Sequence, residues 1–333
     1  RFLLATNAVE TAPFSSGGPH PETLIYIMAW GGWSASFTDP IRFAPFSPWI
    51  HVYLAIAISI FGIFFRKTES LTISAIFTFI FLSSPLAEAQ ASLGGYGDLW
   101  ISLGLLLSIS FFIEYRYEKD KTDLFLAILL AIALIFTKNI GLIFTLSILA
   151  TFVLAESVAR WGRTPIFLIF LSLFLATSGL HMLHLDLRSL GINFAILPME
   201  GLALVAGREL EFVTNRLSSV FFNLYIAMFK QSSFGLVFYI VSISYFYLLI
   251  RIFIDPSSRI FSILCLFTFI SCILFSSLRH TDYMFAYSHP GGDTSLSRAL
   301  LNLFVLGFLV MATAIGELIQ AKESRKQNLK LGL

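Results

Sequence analysis

Apolar blocks of about 18–22 residues, the length that crosses the hydrocarbon core of a bilayer, recur along most of this chain and leave it few ways to fold. Inside lipid every backbone N–H and C=O must be paired within the protein, so blocks of this length cross as α-helices. Composition agrees. Of 333 residues, 57% are hydrophobic and only 13% charged, with a mean hydropathy of +0.82; soluble domains carry about a quarter charged residues. The sequence therefore predicts an all-α polytopic membrane protein. It holds no P-loop, G-x-S-x-G, H-E-x-x-H or Rossmann fingerprint, so soluble-type nucleotide chemistry has no support and no nucleic-acid partner is expected.

The expected spans are roughly 48–65, 71–88, 98–114, 122–137, 140–157, 165–183, 233–252, 259–277 and 299–319. The apolar stretch 218–229 is too short to cross alone and reads as re-entrant, interfacial or an extension of the next span. Short loops fix the orientation. Arg66 and Lys67, then Arg116, Lys119 and Lys121, then Arg160 and Arg163, Arg251 and Arg259, and the tail with Lys322, Arg325, Lys326 and Lys330 all fall on one side. By positive-inside counting that side is cytoplasmic. Residues 1–47, 89–97, 184–217 and 278–297 fall opposite, and their length there suggests that the extracytoplasmic face is the working one. Glu22–Trp33 and Leu187–Leu217 have the character of interfacial helices. The simplest partition is one membrane domain, 1–320, with 1–47 as its first outer loop, 184–217 as an outer interfacial segment, and 321–333 as a cytoplasmic tail.

Charged groups at a bilayer rim are costly unless wetted, paired or used, and several gather at the outer side. Glu22 opens H-P-E-T-L-I-Y, where the helix dipole also favours a carboxylate. Asp98 heads a span after Gly94-Gly95-Tyr96-Gly97; glycine admits close backbone approach, and Asp is also a preferred N-cap. Glu88 and Tyr96 lie near it in sequence. Lys138, with Asn139, interrupts an apolar stretch at an outer turn, either as a point charge for phosphate or as a snorkelling lysine. Arg298 stands at the mouth of the last span, where a guanidinium clamps phosphate or anchors in headgroups. His181 and His184 share a helical face without an evident third ligand, and Cys265 and Cys272 have the spacing of packing residues. No residue is assigned as a metal ligand.

The run S-P-L-A-E-A-Q-A-S-L-G-G-Y-G-D-L-W-I-S-L-G-L-L-L resembles a stretch of the GT-C membrane glycosyltransferases, the protein O-mannosyltransferase and aminoarabinose-transferase group, in which an acid follows a G-Y pair at a helix start. A-L-I-F-T-K-N-I-G-L-I-F is similar to that family's T-K-x-x-G-L turn. H-P-E-T-L-I-Y-I-M-A-W-G-G-W resembles its first outer loop, and T-S-L-S-R-A-L-L-N-L-F its late arginine. The resemblance implies a GT-C-like bundle of about nine to ten transmembrane helices with extracytoplasmic interfacial helices, one of the spans preceding Arg1. By the same resemblance Glu22 is the candidate general base and Asp98 the second acid, which helps to hold the acceptor or a metal. Lys138 and Arg298, with Tyr96 and Glu88, are the candidate substrate and phosphate contacts. The attacking hydroxyl loses a proton to a carboxylate, and the leaving polyprenyl phosphate has its charge met by cations or a divalent ion.

The implied function is transfer of a sugar from a polyprenyl-phosphate donor, held among membrane lipids, to an acceptor at the outer face of a cytoplasmic (inner) membrane. The sequence departs from the family pattern in places: Glu22 stands where Asp is usual, and Asn302 where proline is frequent. These departures fit a compact transferase, and they also fit the alternative, a non-catalytic GT-C-like subunit packed with protein partners in a larger membrane complex.

Overall fold

A computed structural model describes residues 47–93, 97–137, 141–161, 225–230, 234, 236–254, 257–279 and 295–330. These residues are helical, with no strand among them. In chain order the helices are α1 (Ser47–Thr68), α2 (Leu71–Leu82), α3 (Pro85–Leu93), α4 (Asp98–Glu118), α5 (Lys121–Ala133), α6 (Gly141–Trp161), α7 (Val237–Ile254), α8 (Ser258–Arg279) and α9 (Ser295–Lys330). A 3-10 turn, Leu134–Phe136, follows α5, and a π turn, Ile226–Lys230, precedes α7.

Among the described residues five helices are long and apolar enough to cross a membrane: α1, α4, α6, α7 and α9. The chain is thus an α-helical polytopic membrane protein. The bent pair α2–α3 makes a sixth crossing if it counts as one span. The expected nine to ten spans are not reached by this count; the expected span 165–183 lies outside the described residues.

The expected span 71–88 is not one helix. The chain bends by 61° between α2 and α3. Ser83 and Ser84 close α2 by donating their amides to Phe79 O and Phe81 O, and Pro85 opens α3, where its missing N–H costs nothing. The expected span 122–137 is likewise divided into α5 and the 3-10 turn.

The centre of the bundle is the pair α4 and α9, which pack on each other and on α1 and α8. Of the apolar window of α9, 83% is buried; of that of α7, only 33%. The sequence explains the contrast. In α7, Val237, Val241, Ser244, Leu248 and Ile252 face inward at helical spacing, while Ile243, Phe246, Ile250 and Phe253 face out. A helix apolar on every side suits one face on protein and one on lipid. Lipid supplies little hydrophobic drive between helices, so close packing carries the association. Phenylalanine does much of it: Phe112 stacks on Phe152 at 3.8 Å, Phe64 on Phe77 at 4.2 Å, and Phe81 meets both Phe304 and Phe308. Cys265 is buried in this packing beside Thr151, as its spacing suggested. Serines and threonines within the helices return their hydroxyls to the carbonyl four residues back, as Ser110, Thr151 and Thr313 do.

One end of the bundle is tied by charge. Arg66 of α1 meets Glu114 of α4 at 3.3 Å, and Arg116 of α4 pairs with Glu156 of α6. Arg259 of α8 donates to Glu317 of α9 and to the Tyr117 hydroxyl of α4, and Arg251 Nε of α7 lies 3.7 Å from Glu317. The basic loops grouped on one side by sequence thus meet in space through Arg66, Arg116, Arg251 and Arg259. Two left-handed residues, Glu69 (φ 51°) and Lys119 (φ 59°), stand just past α1 and α4 at this end.

Candidate functional site

The opposite end is built from neutral polar contacts around one buried carboxylate. Asp98 is the first residue of α4 and is 3% exposed. The N-cap is Gly97, which has no side chain to offer, so Asp98 sits one position inside the helix. A carboxylate in the first turn is favoured by the helix dipole. One turn deeper, the Ser102 hydroxyl lies 2.8 Å from the Asp98 carbonyl oxygen and 2.9 Å from Asn302 Oδ1. Ser102 and Asn302 are both buried, and their contact ties the head of α4 to the head of α9. Asn302 therefore has a structural partner at the position where it departs from the family pattern.

Around this contact stand α1 and the bent α2–α3 pair. Trp49 of α1 meets Trp100 of α4 edge-on at 6.2 Å. The Tyr53 hydroxyl donates to Leu82 O at 2.6 Å, closing α1 on the end of α2. Helix α3 packs on α1, α4 and α9. On α3, Gln90 is 3% exposed, and among the described residues its Oε1 has no hydrogen-bond partner; the buried Trp100 Nε1 has none there either. An acceptor and a donor left unsatisfied cost roughly 1–3 kcal/mol each.

The expected site residues fare differently. Asp98 is buried at the head of the central pair, whereas Glu88, in the first turn of α3, is exposed and within electrostatic reach of Tyr53. These two acids sit in unlike surroundings. Glu22, Tyr96 and Lys138 lie outside the described residues. Arg298 falls in the first turn of α9, four residues before Asn302, and its side chain lies outside the description. Thr137 and Gly141, which flank Lys138, are described. Gly141 opens α6 at the end opposite Glu156. A Cβ there would meet Leu134 O at 1.8 Å, so the glycine of the T-K-N-I-G run is required by backbone packing. Thr145 secures the same turn, donating to Ala131 O at 2.5 Å and lying 2.8 Å from Gly141 O.

Sequence reasoning passed over Gln90, Trp100 and Ser102. Their signal was present: polar atoms inside an apolar run must find partners or remain exposed to need. Among the described residues no group of three or more His, Cys, Asp or Glu side chains is placed to hold a metal ion. No family model, curated protein or solved structure matches this chain.

Proposed function

We propose that this protein is a membrane glycosyltransferase of the GT-C kind, moving a sugar from a polyprenyl-phosphate donor to an acceptor at the extracytoplasmic face, with the basic end of the bundle cytoplasmic. One observation carries the reading. The end bearing Asp98 combines a buried carboxylate with a buried acceptor, Gln90 Oε1, and a buried donor, Trp100 Nε1, that have no partner among the described residues. A hydroxyl both donates and accepts, so polyhydroxylated substrates suit such an inventory. Glu22 acts as general base toward the acceptor hydroxyl, and Asp98 holds the acceptor or a divalent ion. Lys138 and Arg298 meet the charge of the leaving phosphate, with Tyr96 and Glu88 beside them.

The test is transfer of labelled sugar from a polyprenyl-phosphate donor in membranes containing the protein. Glu22→Gln is expected to lower transfer about 10²–10⁴-fold, and Asp98→Asn to lower it in the same direction. Undiminished transfer in both variants overturns the assignment.

A second reading, a non-catalytic subunit of a larger membrane complex, is favoured by the burial of Asp98 in the first helical turn, where a carboxylate has a purely structural use. It expects no transfer from membranes containing the unaltered protein alone, and a lowered unfolding midpoint for Asp98→Asn.

A further inference from the structure

We propose that the basic end of the bundle is a binding site for the phosphate of an anionic lipid, formed by Lys67, Arg251 and Arg259 around Glu317. Glu317 is shared: it accepts from Arg259, and its Oε2 lies 3.7 Å from Arg251 Nε. Lys67 Nζ lies 5.4 Å from the centroid of the Tyr117 ring, and the Arg259 guanidinium lies 5.1 Å from the same ring. Lys67 and Arg259 thus both lie over the Tyr117 ring. The other charges acting on Lys67 are Arg66, Glu114 and Glu317, and Glu114 is engaged by Arg66 at 3.3 Å. Among the described residues in these contacts, four cations (Arg66, Lys67, Arg251, Arg259) meet two carboxylates (Glu114, Glu317), a surplus of two cations.

Burial gives that surplus its weight. The Arg259 side chain is 10% exposed, and like charges withdrawn from water repel strongly. Arg251 is 32% exposed and open to an incoming group. Lys67 and Arg251 stand near the ends of the apolar windows Pro48–Thr68 and Val237–Ile254, where a span of this length would meet the headgroups. The outward stripe of α7, Ile243, Phe246, Ile250 and Phe253, runs to the level of Arg251. An acyl chain along this stripe brings its headgroup to the cations. That apolar track selects a lipid over a free phosphate.

The test uses the full chain in neutral detergent, titrated with phosphatidylglycerol and with phosphatidylcholine of the same acyl length, thermal unfolding being the readout. Phosphatidylglycerol is expected to raise the unfolding midpoint, and phosphatidylcholine to leave it in place. Arg251→Gln weakens the apparent affinity for phosphatidylglycerol about fivefold, and Lys67→Gln with Arg251→Gln removes the shift. Glycerol phosphate, the headgroup without chains, gives no shift. Equal shifts from both lipids, or a full shift in the double variant, overturn the site. An equal shift from glycerol phosphate overturns its assignment to a lipid.

Discussion

The two ends of the bundle are held by different physics. At the basic end Glu317, Arg259, Arg251 and Tyr117 link α4, α7, α8 and α9 through charge. At the other end the same central helices meet through a hydroxyl and a carboxamide, Ser102 and Asn302, below a buried carboxylate. Ionic contacts between buried groups are expensive to break one partner at a time. Neutral interhelical hydrogen bonds in a membrane are worth far less. One end is thus tied by charge across four helices, while the other is joined by a neutral hydrogen bond and leaves two buried polar atoms without partners among the described residues.

Breaking the basic end should have the largest effect. Arg259→Met removes the closest described cation from Glu317, leaving the more distant Arg251 and Lys67, and is expected to cost about 3–5 kcal/mol, read as a lowered unfolding midpoint in mixed micelles. A cost below that of the neutral contact would invert the comparison. Gly141→Ala comes next. Its Cβ would lie 1.8 Å from Leu134 O, so the α5–α6 turn must open, at an expected ~1–3 kcal/mol. The same measurement checks it. Ser102→Ala should be milder, about 0.6–2 kcal/mol; a larger loss would mean that the Asp98 end is fastened as firmly as the basic one.

The smallest effect is a pH effect outside the spans. Asp120 caps α5, accepting the Thr122 amide at 2.9 Å, and these hydrogen bonds hold its carboxyl below the usual carboxylate range. Folding then lowers the pKa, so the cap contributes fully above the unfolded value. It is lost as pH falls through the lower folded one. The protection of the Thr122 amide, its exchange rate measured against the intrinsic rate at the same pH, should therefore fall below about pH 4. Unchanged protection there would show that the cap does not govern the start of α5.

Much of the fold was legible because lipid imposes length. The runs that became α1, α4, α6, α7 and α9 are continuous and apolar, and each forms one helix long and apolar enough to cross. The bend between α2 and α3 was hidden because hydrophobicity runs on through it; only Ser83, Ser84 and Pro85 marked the stop. The pairing of basic loops on one side followed from charge, but Glu317 could not be matched to Arg259, 58 residues away, nor Asn302 to Ser102, 200 away. Such partners are chosen by packing, which a linear pattern does not encode. Asp98 was visible as an acid after glycines; that it would be buried at the head of the central pair was not.

Fastening α4 to α9 near both of their shared ends removes two freedoms from that pair. Neither helix can slide or roll against the other without giving up Ser102–Asn302 or the Glu317 contacts. Any widening of the interior must then come from the periphery. The elbow at Ser83–Ser84 is a break in the bundle that can move with both of these ties left in place.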